Sequence, residues 1–154
     1  MATTLKNATL KVTIKEEITL NGSRQDAENI LRVSDINEIY KRVVTCPASN
    51  TTTIATFSAN TYDSVQAIDV NDAKYIRITN LDSSNSIELA VVGPATLYQV
   101  TVAAGQSHIL GSPDDLMLAE EDTSPSFGTM ADVASIQVNP ASNTVDVELF
   151  IASA

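Results

Sequence analysis

Histidine, the usual general base, and cysteine, the thiol nucleophile, each occur once in the sequence. His108 lies in the stretch AGQSHIL, and Cys46 ends the stretch KRVVTC. A serine–histidine–aspartate arrangement needs a positioned base, so any such site would have to use His108. No G-x-S-x-G nucleophile elbow surrounds a serine. The sequence therefore favours an ordinary strand or edge histidine, and no catalytic residue is predicted.

Cys46 is the single thiol of the chain, so no internal disulfide can form. This fits assembly in a reducing compartment. A nucleophilic cysteine needs an activating neighbour, and the preceding residues offer charge only at Lys41 and Arg42. Free cysteines are commonly buried as small hydrophobic side chains. We therefore expect Cys46 to be buried and structural.

Metal-ligating residue types are scarce, except in one acidic stretch. One cysteine and one histidine cannot supply the usual nitrogen and sulfur ligands of zinc. Calcium prefers oxygen ligands, but the sequence has no D-x-[DN]-x-[DN]-G loop. A solvated, mutually repelling loop is the preferred interpretation of the acidic stretch, with calcium binding as the alternative. The acidic residues concerned are Asp114, Asp115, Glu120, Glu121 and Asp122.

Nucleotide and sugar sites have little support in the sequence. Neither G-x-x-x-x-G-K-[ST] nor G-x-G-x-x-G occurs, so no phosphate-binding loop is predicted. Tryptophan is absent, and the four tyrosines are Tyr40, Tyr62, Tyr75 and Tyr98. A carbohydrate-binding module would bring such aromatics together on one exposed face. Paired carboxylates for glycoside hydrolysis stay open, because folding could bring any two acidic residues together.

The formal charge of −10 is distributed unevenly along the 154 residues. Up to Thr45 there are seven basic and six acidic residues, whereas from Cys46 onward there are two basic and thirteen acidic residues. Most of the chain would repel a phosphate backbone, which disfavours nucleic-acid binding. The acidic excess is typical of a surface that resists unwanted association. The alternative is a two-sided adaptor whose near-neutral end docks on a partner.

Apolar residues alternate with polar ones near the start of the chain. Alternation with a period of two predicts a strand that has one apolar and one wet face. The segment is long for one strand, so we expect a bend near Glu16 or an extension toward a neighbour. We divide the chain into a possible N-terminal arm or long first strand, residues 1–20, and a single domain, residues 21–154. The alternating apolar residues are Ala8, Leu10, Val12, Ile14, Ile18 and Leu20.

Turn residues then separate many short strands. Asn21-Gly22 predicts a hairpin turn, and residues 34–46 predict a short turn and a strand, with a helix as the alternative. Short strands at this spacing predict an all-β fold, an antiparallel β-sandwich of jelly-roll or immunoglobulin-like type. The other predicted strands are 28–33, 51–59, 65–70, 74–80, 86–92, 97–103, 107–110, 115–120, 133–138 and 144–152, with an exposed loop at 121–132.

The sequence gives no sign of a membrane segment. No stretch approaches the roughly 20 apolar residues that a membrane-spanning helix needs. The first residues, MATTLKNATLKV, contain no apolar run of signal-peptide type. We expect a soluble protein that is made in the cytoplasm and has no membrane partner.

Three stretches of the sequence resemble small virion structural proteins of tailed bacteriophages, particularly environmental and cyanobacterial phages. They are KVTIKEEITLNG (11–22), INEIYKRVVT (36–45) and KYIRITNLDSSNSIELAV (74–91). The most similar part continues into TLYQVTVAAGQSHIL (96–110), where a strand, a turn and a short apolar strand follow one another. The resemblance extends over most of the chain. It implies an all-β shell module that assembles on a capsid or a tail, and it brings no catalytic residue.

The function implied by this resemblance is mechanical. We expect a non-enzymatic capsid decoration or cement protein of the virion that binds the major capsid protein and its own copies as a homotrimer. A neck, tail or fibre-base component is the alternative within the virion. A carbohydrate- or cell-surface-binding module and an enzyme that depends on His108 are alternatives from other classes. The preferred function needs no metal, cofactor or nucleic acid.

Overall fold

The computed structural model describes residues 6–63, 67–95, 97–119, 124 and 126–154. These residues form an all-β fold, which confirms the predicted antiparallel β-sandwich. Four strands near the start form a separate ribbon: β1 (Ala8–Glu16), β2 (Thr19–Leu20), β3 (Ser23–Arg24) and β4 (Ala27–Ile36). The other described strands are β5 (Glu38–Cys46), β6 (Thr52–Ser58), β7 (Ala67–Asp69), β8 (Ala73–Asn80), β9 (Ile87–Val92), β10 (Leu97–Val102), β11 (Ser107–Leu110), β12 (Ser135–Asn139) and β13 (Val145–Ser153).

Two sheets make up the sandwich. The five-stranded sheet has the order β10-β9-β12-β6-β7, and the four-stranded sheet has the order β11-β8-β13-β5. Neighbouring strands are antiparallel, except that β6 and β7 are parallel. The last strand, β13, lies between β5 and β8, so pairing partners are far apart in the sequence. The predicted strands over 51–59, 74–80, 86–92, 97–103, 107–110, 133–138 and 144–152 are confirmed with shifted ends.

The core lies between the two sheets and consists mainly of aliphatic side chains. On β8 and β13 every second residue points inward, so Ile76, Ile78, Leu149 and Ile151 are fully buried. Leu89 meets them from β9 of the opposite sheet. Full burial of such a side chain stabilises the fold by about 1.5–3 kcal/mol. This strict alternation fixes which face of each strand points outward.

One buried polar residue organises the turn between β8 and β9. The side-chain nitrogen of Asn80 donates to the backbone carbonyl oxygens of Asn85 (2.8 Å) and Val102 (3.1 Å). Its side-chain oxygen accepts from the backbone amide of Asp82 (3.0 Å). The Asp82 carboxylate accepts from the amides of Asn85 and Ser84, each at 2.7 Å, and these bonds lower the pKa of Asp82. The polar stretch 80–85 therefore has a structural role as a hydrogen-bonded turn.

The ribbon is a bent hairpin. β1 pairs with β4 along its length, and the chain reverses at Asn21 and Gly22, whose φ angles of 50° and 77° suit a tight hairpin turn. The strand is interrupted after Glu16, where the Ile18 amide donates to the Asp26 carboxylate at 3.1 Å. The predicted turn is confirmed, and the strand is interrupted where the sequence predicted a bend or an extension toward a neighbour. The predicted division of the chain at residue 20 falls at the tip of this ribbon, between β2 and β3.

The ribbon joins the sandwich through a sharp change of direction. Asp35 has a φ of 63°, and the Asn37 amide donates to the carbonyl oxygen of Ser153 at 3.0 Å. The chain then continues as β5 along the edge of the four-stranded sheet. The predicted turn followed by a strand over residues 34–46 is confirmed, and the helical alternative is wrong.

The predicted strand at 115–120 is wrong over the residues that the structure describes. It is reduced to one bridge, in which the amides and carbonyls of Met117 and Ala131 exchange hydrogen bonds of 3.1 and 2.6 Å. Asp115 has a φ of 49°, which takes the backbone out of the strand conformation. Met117 is buried because it closes the sandwich beside Gly93, not because it belongs to a sheet. Within the predicted loop, residues 124 and 126–130 are exposed as expected, whereas Ala131 and Asp132 are half-buried.

Candidate functional site

The outer face of the four-stranded sheet carries a group of apolar side chains. On β5, Ile39 and Val43 point outward and are 59% and 54% exposed. Ile109 on β11 is 41% exposed on the same face. The centre of the face is formed by Tyr75 and Phe150, whose rings are 6.1 Å apart in an edge-to-face arrangement. An outward sheet face that is this apolar is typical of a surface that contacts another protein.

The base of the ribbon covers one side of this face. Leu10, Val12 and Val33 pack against a small second cluster formed by Tyr75 and its neighbours on β13. A cleft of about 340 Å³ lies between β1 and the strands β8, β11 and β13, and Ile109 and Phe150 line it. The outward side chains of β5 do not line this cleft. The ribbon therefore leans over the β8–β11 side and leaves the β5 side open.

Beyond its base, the ribbon is not buried by any part of the sandwich that the structure describes. Every residue from Thr13 to Arg32 is exposed, although the alternation of apolar side chains that begins at Ala8 continues to Leu20. In the sandwich the same pattern leads to complete burial. An apolar ribbon in water is unfavourable, because removing the exposed part of each such side chain from water would release on the order of 1 kcal/mol. The exposed large apolar residues are Ile14, Ile18, Leu20, Ile30 and Leu31.

An ion pair lies on the outer face beneath the ribbon. The Arg77 guanidinium donates to the Glu148 carboxylate at 2.5 Å, and Lys41 approaches the same carboxylate at 3.8 Å. The hydrogen bond from Arg77 lowers the pKa of Glu148. Arg77 also contacts Thr79, and its guanidinium carbon is 5.9 Å from the centre of the Phe150 ring. The charged groups on this face therefore pair with one another, as befits a structural surface.

His108 lies on β11, an edge strand of the four-stranded sheet, which agrees with the predicted strand or edge position. Its Nε2 atom is 3.3 Å from the Tyr98 hydroxyl, and the two rings form an edge-to-face pair at 6.1 Å. Burial lowers the pKa of His108. Among the described residues, its hydrogen-bond partner is thus a phenol and not the serine and carboxylate of a catalytic triad.

Cys46 is fully buried in the sandwich core, as the sequence predicts. Its thiol lies 3.9 Å from the carbonyl oxygen of Val44. Burial raises the pKa of the thiol, and the hydrogen bond to Thr52 only partly opposes this effect. A buried thiol with a raised pKa is a poor nucleophile, because the thiolate is the reactive form.

The acidic stretch contributes only two members to a carboxylate cluster. Asp114 and Asp115 lie with Asp132 so that one ligand oxygen from each falls within 4.8 Å of the others. The Asp115 amide donates to Asp132 at 3.0 Å. Partial desolvation, a hydrogen bond with Asp132 and the neighbouring negative charges raise the pKa of Asp114. The predicted members Glu120, Glu121 and Asp122 lie outside the described residues.

Asp132 is the member of this group that the sequence interpretation missed. It lies 17 residues from Asp115 and reaches the cluster through the bridge between Met117 and Ala131. No pattern in the residues around Met117 or Ala131 predicts that bridge. Three oxygen ligands could share a cation or a proton, and exposed acidic groups of this kind are common without an ion.

The four tyrosines do not form one exposed aromatic face. Tyr75 is buried under the ribbon at 4% exposure, and Tyr40 and Tyr98 pack against the sandwich core. Tyr62 is 85% exposed in a short 3-10 turn (Thr61–Asp63). The predicted requirement of a sugar-binding module, converging exposed aromatics, is therefore not met by these residues.

Comparisons with known proteins do not show a family. No family model matches the sequence, and no curated protein matches it. The chain is similar to a solved structure described as "Bacillus endospore appendages form a novel family of disulfide-linked pili", with 10% identity and a TM-score of 0.42. The similarity covers 94% of this chain and 90% of that chain. A likeness at this level carries no information on what this chain does.

The part of the chain that the structure describes contains no helix with the length and hydrophobicity needed to cross a bilayer. It is built of strands, and a β-rich structural protein fits this fold.

Proposed function

We propose that this protein is a non-enzymatic structural component of a tailed-bacteriophage virion. Its most direct role is that of a capsid decoration or cement protein, which binds the major capsid protein and its own copies and stabilises the shell. The phage assignment rests on the sequence resemblance of residues 11–22, 36–45 and 74–110. The structural role rests on the distribution of exposed apolar side chains over the molecule.

The observation that carries the structural role is the uncovered apolar ribbon together with the outer face of the four-stranded sheet. Leu20 is 60% exposed and Ile39 is 59% exposed, although both continue a strand alternation that elsewhere ends in burial. The side chains that could act in catalysis or in sugar binding do not form such an exposed surface. Cys46 is buried, His108 is bonded to Tyr98, and the tyrosines are dispersed. This distribution supports a molecule whose function is to make contacts.

The mechanism is mechanical. A decoration protein bridges neighbouring subunits of a shell and buries apolar surface across the seam, so that opening the shell exposes this surface again. A specific contact of standard size, roughly 1,600 Å² in total, is sufficient for such docking. The sandwich supplies a rigid body, and the exposed ribbon and sheet face supply contact surface.

The decisive experiment is quantitative mass spectrometry on purified virions of the phage that encodes the chain. The number of copies is measured relative to the major capsid protein. We expect a ratio that matches the capsid lattice, as a shell location requires. A handful of copies per particle would instead support the neck, tail or fibre-base alternative, and complete absence would contradict a virion role.

The carbohydrate-binding alternative has one exposed tyrosine, Tyr62, on which it could depend. We expect glycan-array binding to be absent for the wild-type protein. Specific binding that is lost on Tyr62→Ala would favour this alternative instead. An enzyme would lose its activity on His108→Ala, and we expect no activity to be lost.

A further inference from the structure

Two apolar surfaces of the chain are uncovered. The ribbon leans over β8 and β11, and the second surface lies on β5, at the other edge of the same outer sheet face. The first is the ribbon tip, residues 15–28, which carries Ile18 and Leu20 at 53% and 60% exposure. The second is the β5 strip, the outward-facing residues Ile39, Lys41, Val43 and Thr45. We propose that the ribbon tip of one copy of this chain covers the β5 strip of a second copy.

The ribbon tip needs a partner for a physical reason. A two-stranded ribbon is marginally stable by itself in water, because neither face is covered. All residues of the tip are exposed, and β2 and β3 contribute only two residues each to its end. Packing of the tip against another surface would both order it and remove Ile18 and Leu20 from water.

The β5 strip cannot be covered by the ribbon of its own chain in the observed arrangement. That ribbon lies over β8, β11 and Phe150, and its cleft does not include the outward residues of β5. β5 also ends the strand order of its sheet, so its outer backbone edge is unpaired within the described sheet. An open edge beside an apolar strip is a docking surface for another strand or ribbon.

Charge supports a second copy as the occupant. The tip contains four acidic and two basic residues and has a net charge of −2. The part of the chain from Asn37 onward contains fourteen acidic residues and only four basic ones, all four of which lie in the four-stranded sheet. Of the two on β5, Lys41 belongs to the strip, whereas Arg42 lies with Tyr40 on the opposite face of the strand. An acidic tip would be repelled by the rest of the sandwich, which has no basic residue, and is repelled least by this sheet, where Lys41 and Arg77 balance the charge of Glu148.

Such a contact is heterologous, because it joins two different surfaces of the same chain. Heterologous contacts close into a ring when the rotation between copies allows it, and otherwise they continue as a filament. Each copy would then provide one tip and one strip, and no apolar surface of this pair would stay open inside a ring. The inference deepens the proposed structural role by naming the surfaces through which copies would associate.

Complementing charge variants test this arrangement. Leu20→Glu damages the tip, and Val43→Glu damages the strip. Leu97→Glu is the matched control, because Leu97 is 53% exposed on the opposite sheet and Val43 is 54% exposed. Native mass spectrometry and sedimentation velocity are measured on each purified protein, and circular dichroism confirms that each is folded.

We expect the wild type and Leu97→Glu to form the same oligomer. Leu20→Glu and Val43→Glu should each be monomeric, with association weakened by at least about 100-fold, because a carboxylate would be buried in an apolar seam. Mixing the two monomeric variants should give a one-to-one heterodimer, since the intact tip of one meets the intact strip of the other. A double variant with both changes should stay monomeric when it is mixed with either single variant.

Three results would overturn the inference. A wild-type protein that is monomeric at micromolar concentration would do so. So would dissociation by Leu20→Glu with no effect of Val43→Glu, because the tips would then contact each other. Failure of the two variants to complement would exclude the head-to-tail contact. Since purified protein is used, these results are independent of the virion measurement: ring formation without virion incorporation would contradict the proposed location alone.

Discussion

The ribbon and the sandwich are built from the same sequence pattern and reach opposite states. In β1 the residues Leu10, Val12 and Ile14 alternate with polar residues, as Val145, Val147 and Leu149 do in β13. The three residues of β13 are at most 1% exposed, whereas Ile14 is 41% exposed. The difference in exposure depends on whether another part of the protein packs against the apolar face of the strand. A second sheet covers β13, whereas none of the described residues covers the outer part of the ribbon.

This contrast shows that alternation reports a face suited to contact but does not identify the contact. Within the sandwich the contact is internal and supplies stability. In the ribbon the same pattern leaves apolar side chains exposed, and we propose that they contact another molecule. Substitutions in the two regions should therefore differ in kind, and the following predictions run from the largest expected effect to the smallest.

The largest effect is expected in the core. Leu149→Ala removes a fully buried side chain and should lower the free energy of unfolding by about 2–5 kcal/mol. Leu31→Ala, in the ribbon, should change it by less than about 1 kcal/mol in a dilute, monomeric sample. Urea unfolding of both variants measures the difference. Equal losses would contradict the separation of the two regions.

The buried turn residue comes next. Asn80→Ala removes a side chain that satisfies the carbonyl oxygens of Asn85 and Val102, and it should cost about 1–3 kcal/mol of unfolding free energy. Asn143→Ala is the control, since Asn143 makes one exposed hydrogen bond to Asn85. Thermal unfolding followed by circular dichroism should separate the two variants. A control as damaging as Asn80→Ala would show that the turn is not organised by Asn80.

A smaller and local effect is expected at the end of the ribbon. Gly22 has a φ of 77° and open space around its missing Cβ, so Gly22→Ala costs only backbone strain, about 1 kcal/mol. Hydrogen exchange should become faster in β1 and β4 and stay unchanged in β8 and β13. Gly111→Ala, also in open space but without a positive φ, is the control. Faster exchange throughout the sandwich would mean that the ribbon and the core unfold together.

The smallest effect is expected from the ion pair on the outer face of the four-stranded sheet. The pKa of Glu148 is lowered in the fold by Arg77, so this carboxylate stabilises the fold above its ordinary pKa. That contribution is lost as the pH falls through the lowered value. Glu148→Gln should therefore be less stable than the wild type at neutral pH, by less than about 1 kcal/mol, and the gap should close in acid.

Urea unfolding at several pH values measures this gap, and Glu88→Gln on the opposite sheet is the control. If the curves of the wild type and Glu148→Gln run parallel from neutral to acidic pH, the pairing with Arg77 does not contribute to stability.

Much of the fold could be predicted from local residues. Asn21-Gly22 marked the hairpin, and the turn at 82–85 separated two strands that the structure confirms as β8 and β9. The strand at 115–120 could not be judged this way. An apolar run there became a single bridge because Asp115 leaves the strand conformation and the facing segment is irregular. The cluster of Asp114, Asp115 and Asp132 could not be predicted from local residues either, because one bridge between distant segments creates it.

The sequence by itself determined the period of two, the turns between strands and the shortage of groups for zinc or nucleotide chemistry. These are local properties, since they depend on residue type and on neighbours along the chain. Only the tertiary structure decided that β13 lies between β5 and β8, that Tyr75 and Phe150 lie under the ribbon base, and that β5 and the ribbon tip stay uncovered. The physical reason is that burial depends on which surface stands opposite a face, and pairing across long sequence separations makes that choice.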